Sequence, residues 1–207
     1  MPRPQGTKRK QQIIEATVEC IIKHGYYNFS MQDVADAADV SKGIIHYYFL
    51  NKDELMMAVL DRCAADIEAI LVKRIIAAKD PLQRLKVFIS VCFDVLRHNR
   101  EYYQVNMDFW TQINQKQEVR TAIAEHYRMI RNAGIKVIED GIKAKVFKSV
   151  DVNMYASLIV SIVDGFSLQY LFDNDAFDYD KITTVASEWI ISGLLSDNCE
   201  QTNAHQA

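Results

Sequence analysis

Apolar side chains recur at the three- and four-residue spacing of an α-helix along nearly the whole chain, and no stretch shows the alternation of a β-strand. Only 7 glycines and 3 prolines occur among the 207 residues, so few positions break a helix or supply the tight turns of an all-β fold. Hydrophobic residues make up 49% of the chain, which is enough for a sizeable core. The sequence therefore predicts an all-α fold.

The residues that interrupt these periodic stretches predict the helix boundaries. The first helix is predicted over about 8–24. Ser30 with Asp33 forms an S-x-x-D capping signal that begins a second, two-turn helix, and Ser41 caps a third, Lys42–Phe49. Longer helices complete a set of about nine, and they are predicted over roughly 53–78, 81–98, 100–114, 118–145, 151–173 and 179–195.

Two short helices joined by a tight turn and preceded by a longer helix are typical of a helix-turn-helix unit. Ile45, Tyr48 and Phe49 form the apolar side of the third helix, which leaves its other side free. That side offers a cation, an open backbone, an apolar contact and two polar rings to phosphates and base edges, through Lys42, Gly43, Ile44, His46 and Tyr47. Residues 1–52 hold seven Lys or Arg against five Asp or Glu, while the remainder holds 17 against 22, so the charge also favours a polyanion at this end.

Residues 29–55 carry a more restrictive pattern than a generic helix-turn-helix. The run V-S-K-G-I-I-x-Y-Y-F-x-N-K-x-E-L within them closely resembles the DNA-binding signature of the TetR family of one-component bacterial repressors. The number and length of the remaining helices also suit that family. The resemblance implies a DNA-binding domain over 1–52 and an effector-binding and dimerisation domain over 53–196, and residues 197–207 are expected to form a disordered polar tail.

The resemblance also implies roles for single side chains. It assigns DNA contacts to the start of the second helix, to the third helix and to the lysine that follows it, with His46, Tyr48 and Lys52 directed towards phosphates. The full set is Ser30, Gln32, Ser41, Lys42, Gly43, Ile44, His46, Tyr47, Tyr48 and Lys52. Two positions depart from the family pattern, because Asp39 stands where the turn commonly has Gly and His46 stands where Tyr is common. Asp tolerates left-handed backbone better than most residues, so we expect only modest strain at Asp39.

The last two long helices are apolar on more than one side. The TetR resemblance implies that they form a homodimer interface, and the surplus of apolar surface independently favours a four-helix interface between two copies. The residues predicted to lie in it are Leu158, Ile162, Phe166, Trp189 and Ile190.

The middle helices are rich in aromatic and sulfur-containing side chains. Any one of them could simply belong to the core, but together they favour an apolar pocket for a small effector. The predicted lining residues are Phe88, Cys92, Tyr103, Met107, Trp110, Tyr127 and Asp164. Asp164 interrupts an apolar helix face, and a buried carboxylate needs a partner. A cationic, an acyl and a neutral aromatic ligand are all compatible with this sequence.

Several functional classes are disfavoured. The sequence has no nucleophile elbow, P-loop, dinucleotide-binding glycine motif or zinc-protease motif, and its five histidines show no metal-ligand spacing, so we expect neither an enzyme nor a cofactor. Four scattered cysteines without a C-x-x-C pair are typical of reduced thiols. The longest nearly apolar stretch, Met154–Val163, is short for a membrane span, and the N-terminus lacks a signal-peptide core, so a cytoplasmic location is expected.

Taken with the resemblance, these features predict a ligand-responsive transcriptional repressor. A homodimer would bind a palindromic operator in double-stranded DNA, with its two recognition helices about 34–36 Å apart, and would be released or modulated by a small hydrophobic or aromatic effector. The alternative is a constitutive DNA-binding dimer, or a helical interaction module, without a small-molecule effector.

Overall fold

The structure, a computed structural model, describes residues 4–25, 27–98, 107, 110 and 116–196. These residues include eight α-helices: α1 (Pro4–His24), α2 (Met31–Ala37), α3 (Lys42–Tyr48), α4 (Lys52–Ala77), α5 (Pro81–His98), α6 (Gln117–Lys143), α7 (Val152–Phe172) and α8 (Tyr179–Ser192). Over the same residues there is no strand, and an isolated antiparallel bridge joins Phe147 and Leu195. The all-α prediction is confirmed. The helix predicted over 100–114 lies outside the described residues except for Met107 and Trp110, which are both helical.

Side-chain caps explain why several of these helices begin where they do. The Ser30 hydroxyl accepts a hydrogen bond from the backbone N of Asp33 at 3.2 Å, and the Asp33 carboxylate accepts one from the backbone N of Ser30 at 2.7 Å. This is the reciprocal capping box that the sequence predicts. Asp151 and Asp178 cap α7 and α8 through their carboxylates. α1 begins earlier than predicted, at Pro4, because the prediction followed an apolar periodicity that starts only further along the helix.

The chain divides into two compact units. The first consists of Met1–Asp66 with Asn99–Glu125, and the second of Ile67–His98 with His126–Ala207. The division therefore falls inside α4 and inside α6, and each of these helices contributes to both units. The functional boundary expected after residue 52 stays a prediction.

In the first unit α1 packs against α2 and α2 packs against α3. Thr17 is fully buried, and its hydroxyl is satisfied because it donates to the Ile13 carbonyl at 2.7 Å. The other side chains buried in these three helices are apolar: Ile13, Ile14, Ala16, Cys20, Ile21, Val34, Ala35 and Ile45. One side of α3 thus belongs to a core, and the helix is held by α2 with its other side turned outward.

In the second unit α5 packs against both α7 and α8. Phe88 of α5 is fully buried, and the Tyr179 hydroxyl of α8 donates to the Phe93 carbonyl at 3.2 Å. The Phe147 ring, which follows α6, is seated directly on the backbone of Gly141. This tight packing fixes the helices that carry the predicted effector residues.

The apolar helix α7 is long enough and hydrophobic enough to cross a bilayer, judged by length and composition alone. Met154–Val163 alone is too short for a span, but the apolar character of the helix continues on both sides of Asp164. Only 28% of the most apolar window of α7 is buried inside the chain, so most residues of this window are at least partly exposed in one copy.

Candidate functional site

The outward side of α3 is the candidate DNA-binding face. Ile45 and Phe49 are buried at 0% and 1% exposure, as predicted, while the Tyr47 side chain on the opposite side is 80% exposed. The Tyr47 ring packs edge-on against Tyr48, with ring centroids 5.0 Å apart, which limits the directions in which it can point. The other exposed residues predicted for this face are Lys42, Gly43, Ile44 and His46.

The two predicted serines shape this face through the caps they form. Ser30 caps α2, and the Ser41 hydroxyl caps α3 by accepting from the backbone N of Ile44 at 3.4 Å. Gln32 is exposed on α2 and donates to the Asp36 carboxylate at 2.7 Å. Each of these side chains is on the surface, so a DNA backbone that approached α2 and α3 would meet them.

The turn between α2 and α3 has the geometry expected from the sequence. Asp39 has φ +49°, in the left-handed region that Gly usually occupies. Asp39 therefore adopts the left-handed backbone that the sequence predicts it to tolerate.

Lys52 has a structural partner that sequence reasoning did not foresee. Its ammonium donates to the Phe29 carbonyl at 2.8 Å and lies 3.8 Å from the centroid of the Phe29 ring. Burial lowers the pKa of Lys52, and the nearby Asp53 carboxylate opposes that shift. Phe29 immediately precedes the cap of α2, so these contacts of Lys52 stabilise the start of the helix-turn-helix. The phosphate contact of Lys52 stays a prediction.

Two further polar contacts of the first unit carry no signal in the sequence. Lys116, just ahead of α6, forms an ion pair with Asp53 in the first turn of α4. Gln12 of α1 donates to the Ala38 carbonyl in the turn between α2 and α3. Both pairs are far apart along the chain, and single-sequence periodicity cannot reveal such contacts.

The predicted effector residues fall into three groups. Phe88, Cys92, Tyr127 and Asp164 belong to the second unit, Met107 and Trp110 belong to the first, and Tyr103 lies outside the described residues. Within the second unit, the Tyr127 hydroxyl of α6 donates a hydrogen bond to the Asp164 carboxylate of α7. The Asp164 carboxylate also interacts electrostatically with the Cys92 thiol of α5. Side chains from three helices, α5, α6 and α7, therefore interact in this region.

The electrostatics of this cluster are set mainly by burial. Burial raises the pKa of Asp164, and the hydrogen bond from Tyr127 only partly offsets the rise. Burial, with a smaller contribution from Asp164, raises the pKa of Cys92 to about 12. Burial also lowers the pKa of His126, the neighbour of Tyr127 on α6. The chemical feature of this region is a partly buried carboxylate whose charge a cation would neutralise. Within the described residues no cluster of side chains is suited to a metal ion.

The residues predicted for a dimer interface differ in exposure. Trp189 is 67% exposed and Leu158 is 49% exposed, whereas Ile162 and Phe166 are half-buried. Ile190 is only 6% exposed and packs in the core of its own chain, so it offers little surface to a partner. Further exposed apolar residues of the same two helices are Met154, Phe172 and Val185.

Comparison with known protein families places this geometry in context. Residues 13–59 match the family described as bacterial regulatory proteins of the tetR family. Residues 81–194 match the C-terminal domain described as the BetI-type transcriptional repressor. The chain belongs to the TetR family. Members of this family are transcriptional regulators that bind DNA, and residues 13–59, which match the tetR family, include the helix-turn-helix of this TetR-family chain.

Individual proteins resemble the chain in sequence or in fold. The chain is 25% identical over 186 residues to the HTH-type transcriptional regulator BetI of Paraburkholderia phymatum, covering 88% of this chain and 91% of the relative. Its fold is similar to that of a transcriptional regulator from Saccharomonospora viridis in complex with choline, with a TM-score of 0.82 at 20% identity over 92% and 99% of the two chains. It is also similar to the regulator FadR from Bacillus subtilis in complex with stearoyl-CoA, with a TM-score of 0.75 at 22% identity over 88% and 98%.

Proposed function

We propose that this TetR-family chain is a cytoplasmic repressor that binds a palindromic operator as a homodimer and responds to a small effector. The observation that carries the proposal is the outward side of α3, where Tyr47 and its exposed neighbours stand on a helix whose other side is buried. A helix held in this way can enter a major groove, since its base-reading side chains are not needed for the core.

Replacing Tyr47 with Ala is expected to weaken operator binding by about 1–3 kcal/mol, with a smaller loss on unrelated DNA. Tyr47 is 80% exposed, so its removal leaves the core of the first unit intact. Fluorescence anisotropy on a duplex enriched from random-sequence DNA, and on a scrambled duplex, measures both affinities. Circular dichroism checks the fold. If the Tyr47→Ala variant bound the enriched duplex with wild-type affinity, Tyr47 would not belong to the recognition surface.

The apolar surface of α7 and α8 supports the proposed homodimer. Leu158 and Trp189 are large, apolar and exposed, and only 28% of the apolar window of α7 is buried within one copy. Exposed apolar surface of this extent is typical of protein interfaces. A dimer also supplies the two recognition helices that a palindromic operator requires.

For the effector we propose a small organic cation. Asp164 is a desolvated carboxylate that accepts a hydrogen bond from Tyr127, and a cation placed beside it would restore the lost solvation by ion pairing. The aromatic ring of Tyr127 can add a cation–π contact. The choline bound to the structural neighbour from Saccharomonospora viridis supports this class of ligand.

Asp164→Asn is expected to lower choline affinity about tenfold or more, because the substitution removes the charge but keeps an oxygen that can accept from Tyr127. Choline affinity of the wild type is expected to increase as the pH rises through the raised pKa of Asp164, since only the ionised carboxylate pairs with the cation. Isothermal titration calorimetry at two pH values checks both effects. Equal choline affinity in the wild type and the variant would exclude Asp164 from the site.

An acyl effector is the second candidate, favoured by the likeness to FadR in complex with stearoyl-CoA. Binding of an effector to the native state raises the melting temperature by mass action, and a regulatory effector must also change operator affinity. Measuring the melting temperature and the operator affinity with choline and, separately, with stearoyl-CoA distinguishes a cationic from an acyl effector. If neither ligand changed operator affinity, both effector classes would be rejected and the alternative of a constitutive DNA-binding dimer would be favoured.

A further inference from the structure

The turn between α2 and α3 directs the candidate recognition helix, and its backbone is strained. Asp39 has φ +49°, which costs free energy in any residue with a side chain. Two backbone hydrogen bonds close the turn, from Val40 N to the Ala35 carbonyl at 3.0 Å and from Asp39 N to the Asp36 carbonyl at 3.2 Å. This is the Schellman arrangement, with Asp at the position that Gly usually takes.

A side chain from outside the two-helix motif is tied to this turn. Gln12 of α1 donates from Nε2 to the Ala38 carbonyl at 2.6 Å, and its Oε1 accepts from the Arg9 guanidinium at 3.0 Å. Both ends of the amide therefore have partners, and its donor end is the one that faces Ala38. Ala38 is only 2% exposed, so water has poor access to replace the bond from Gln12.

We infer that Gln12 is a positioning residue for operator recognition. By holding the Ala38 carbonyl it keeps the strained turn closed, and the exposed side of α3 stays in the orientation that reads DNA. Strained backbone persists where the surrounding structure holds it, and Gln12 supplies that hold from α1. The inference rests on the operator binding proposed above.

Two substitutions separate the bond to Ala38 from the bond to Arg9. Gln12→Met removes both hydrogen bonds while keeping the length of the side chain. Gln12→Glu removes the donor to Ala38 but keeps an acceptor for Arg9. Arg9→Met is the matched control, because it removes the cation and leaves the bond from Gln12 to the turn in place.

Binding is measured on a duplex enriched from random-sequence DNA by the wild-type protein and on a scrambled duplex of the same length. Both Gln12 variants are expected to lower the ratio of the two affinities by about threefold to tenfold, the effect of losing one poorly hydrated hydrogen bond. Arg9→Met is expected to leave the ratio near the wild-type value. A general loss of stability would instead reduce binding to both duplexes equally, so the ratio isolates positioning.

The strain itself gives a second, independent measurement. Asp39→Gly removes the cost of the left-handed backbone, so the turn depends less on the bond from Gln12. In the Asp39→Gly background, Gln12→Met is expected to change the affinity ratio by less than about twofold, and a double-mutant cycle quantifies the coupling.

The inference is overturned if both Gln12 variants keep the wild-type ratio of affinities for the enriched and the scrambled duplex, or if they lose affinity equally for the two. It is likewise overturned if the effects of Gln12→Met and Asp39→Gly on this ratio are additive. It is also overturned if Gln12→Glu keeps the wild-type ratio, since the contact to Arg9 would then be the one that matters. A wild-type protein that enriches no duplex would refute the proposed function itself, and that result is obtained before any variant is made.

Discussion

If the chain forms the proposed dimer, Trp189→Glu is expected to convert it into a monomer at low micromolar concentration and to abolish binding to the proposed operator. Trp189 is 67% exposed on α8 of one copy, so the substitution does not disturb the core of that copy. In a dimer the same position would be covered, and an unpaired buried charge costs about 3–5 kcal/mol, which raises the dimer Kd about a hundredfold to a few thousandfold. Sedimentation velocity measures the assembly, and fluorescence anisotropy measures the operator affinity.

Ile76→Glu is the matched control for this charge. Ile76 is 76% exposed on α4, outside α7 and α8, and it is likewise an apolar residue on a helix surface. We expect this variant to sediment as the wild type does. If Trp189→Glu stayed a dimer, or if both variants were monomers, the proposal that the interface lies on α7 and α8 would be rejected.

Gly141→Ala is expected to destabilise the protein by about 3 kcal/mol, although alanine is the better helix former. A Cβ added at Gly141 would lie 1.9 Å from Cδ2 and 2.8 Å from Cγ of Phe147. Phe147 is 2% exposed, and its backbone is held by the bridge to Leu195, so the ring has little room to move. Chemical denaturation followed by circular dichroism measures the free energy of unfolding.

Gly134→Ala on the same helix provides a graded comparison. Its added Cβ would lie 2.8 Å from Cζ of Phe88, the far end of the ring, so a smaller loss is expected there. The double variant Gly141→Ala, Phe147→Leu should be less destabilised than the sum of its single changes, because the smaller side chain removes the clash. Additive losses would show that Phe147 is not the obstacle.

Features that depend on residues close in the chain could be predicted from the sequence. The capping box of Ser30 and Asp33 and the left-handed backbone at Asp39 both arise from local backbone geometry, and the structure has both. α5 begins and ends at the predicted residues because Pro81 fixes its first turn and the helical pattern stops after His98. Helical periodicity also separated the buried side of α3 from its exposed side.

Features that depend on distant partners could not be predicted in this way. Trp189 and Ile190 are adjacent and both apolar, yet one is exposed and the other is buried, since the packing of other helices decides which side of α8 is covered. Lys52 is turned back to Phe29, 23 residues earlier, and a lysine side chain is long enough to reach either that carbonyl or a phosphate. The proximity of Tyr127 to Asp164 likewise depends on how α6 meets α7.

The burial and raised pKa of the native thiols favour site-directed labelling of this chain at an introduced cysteine. Cys20 and Cys63 are buried, and burial raises the pKa of both Cys20 and Cys92, so little thiolate is present near neutral pH. With Cys199 replaced by serine, a cysteine introduced on the exposed side of α3 would carry a spin label selectively. Pulsed dipolar spectroscopy on the labelled protein would then report directly how far apart two recognition helices stand, with and without choline.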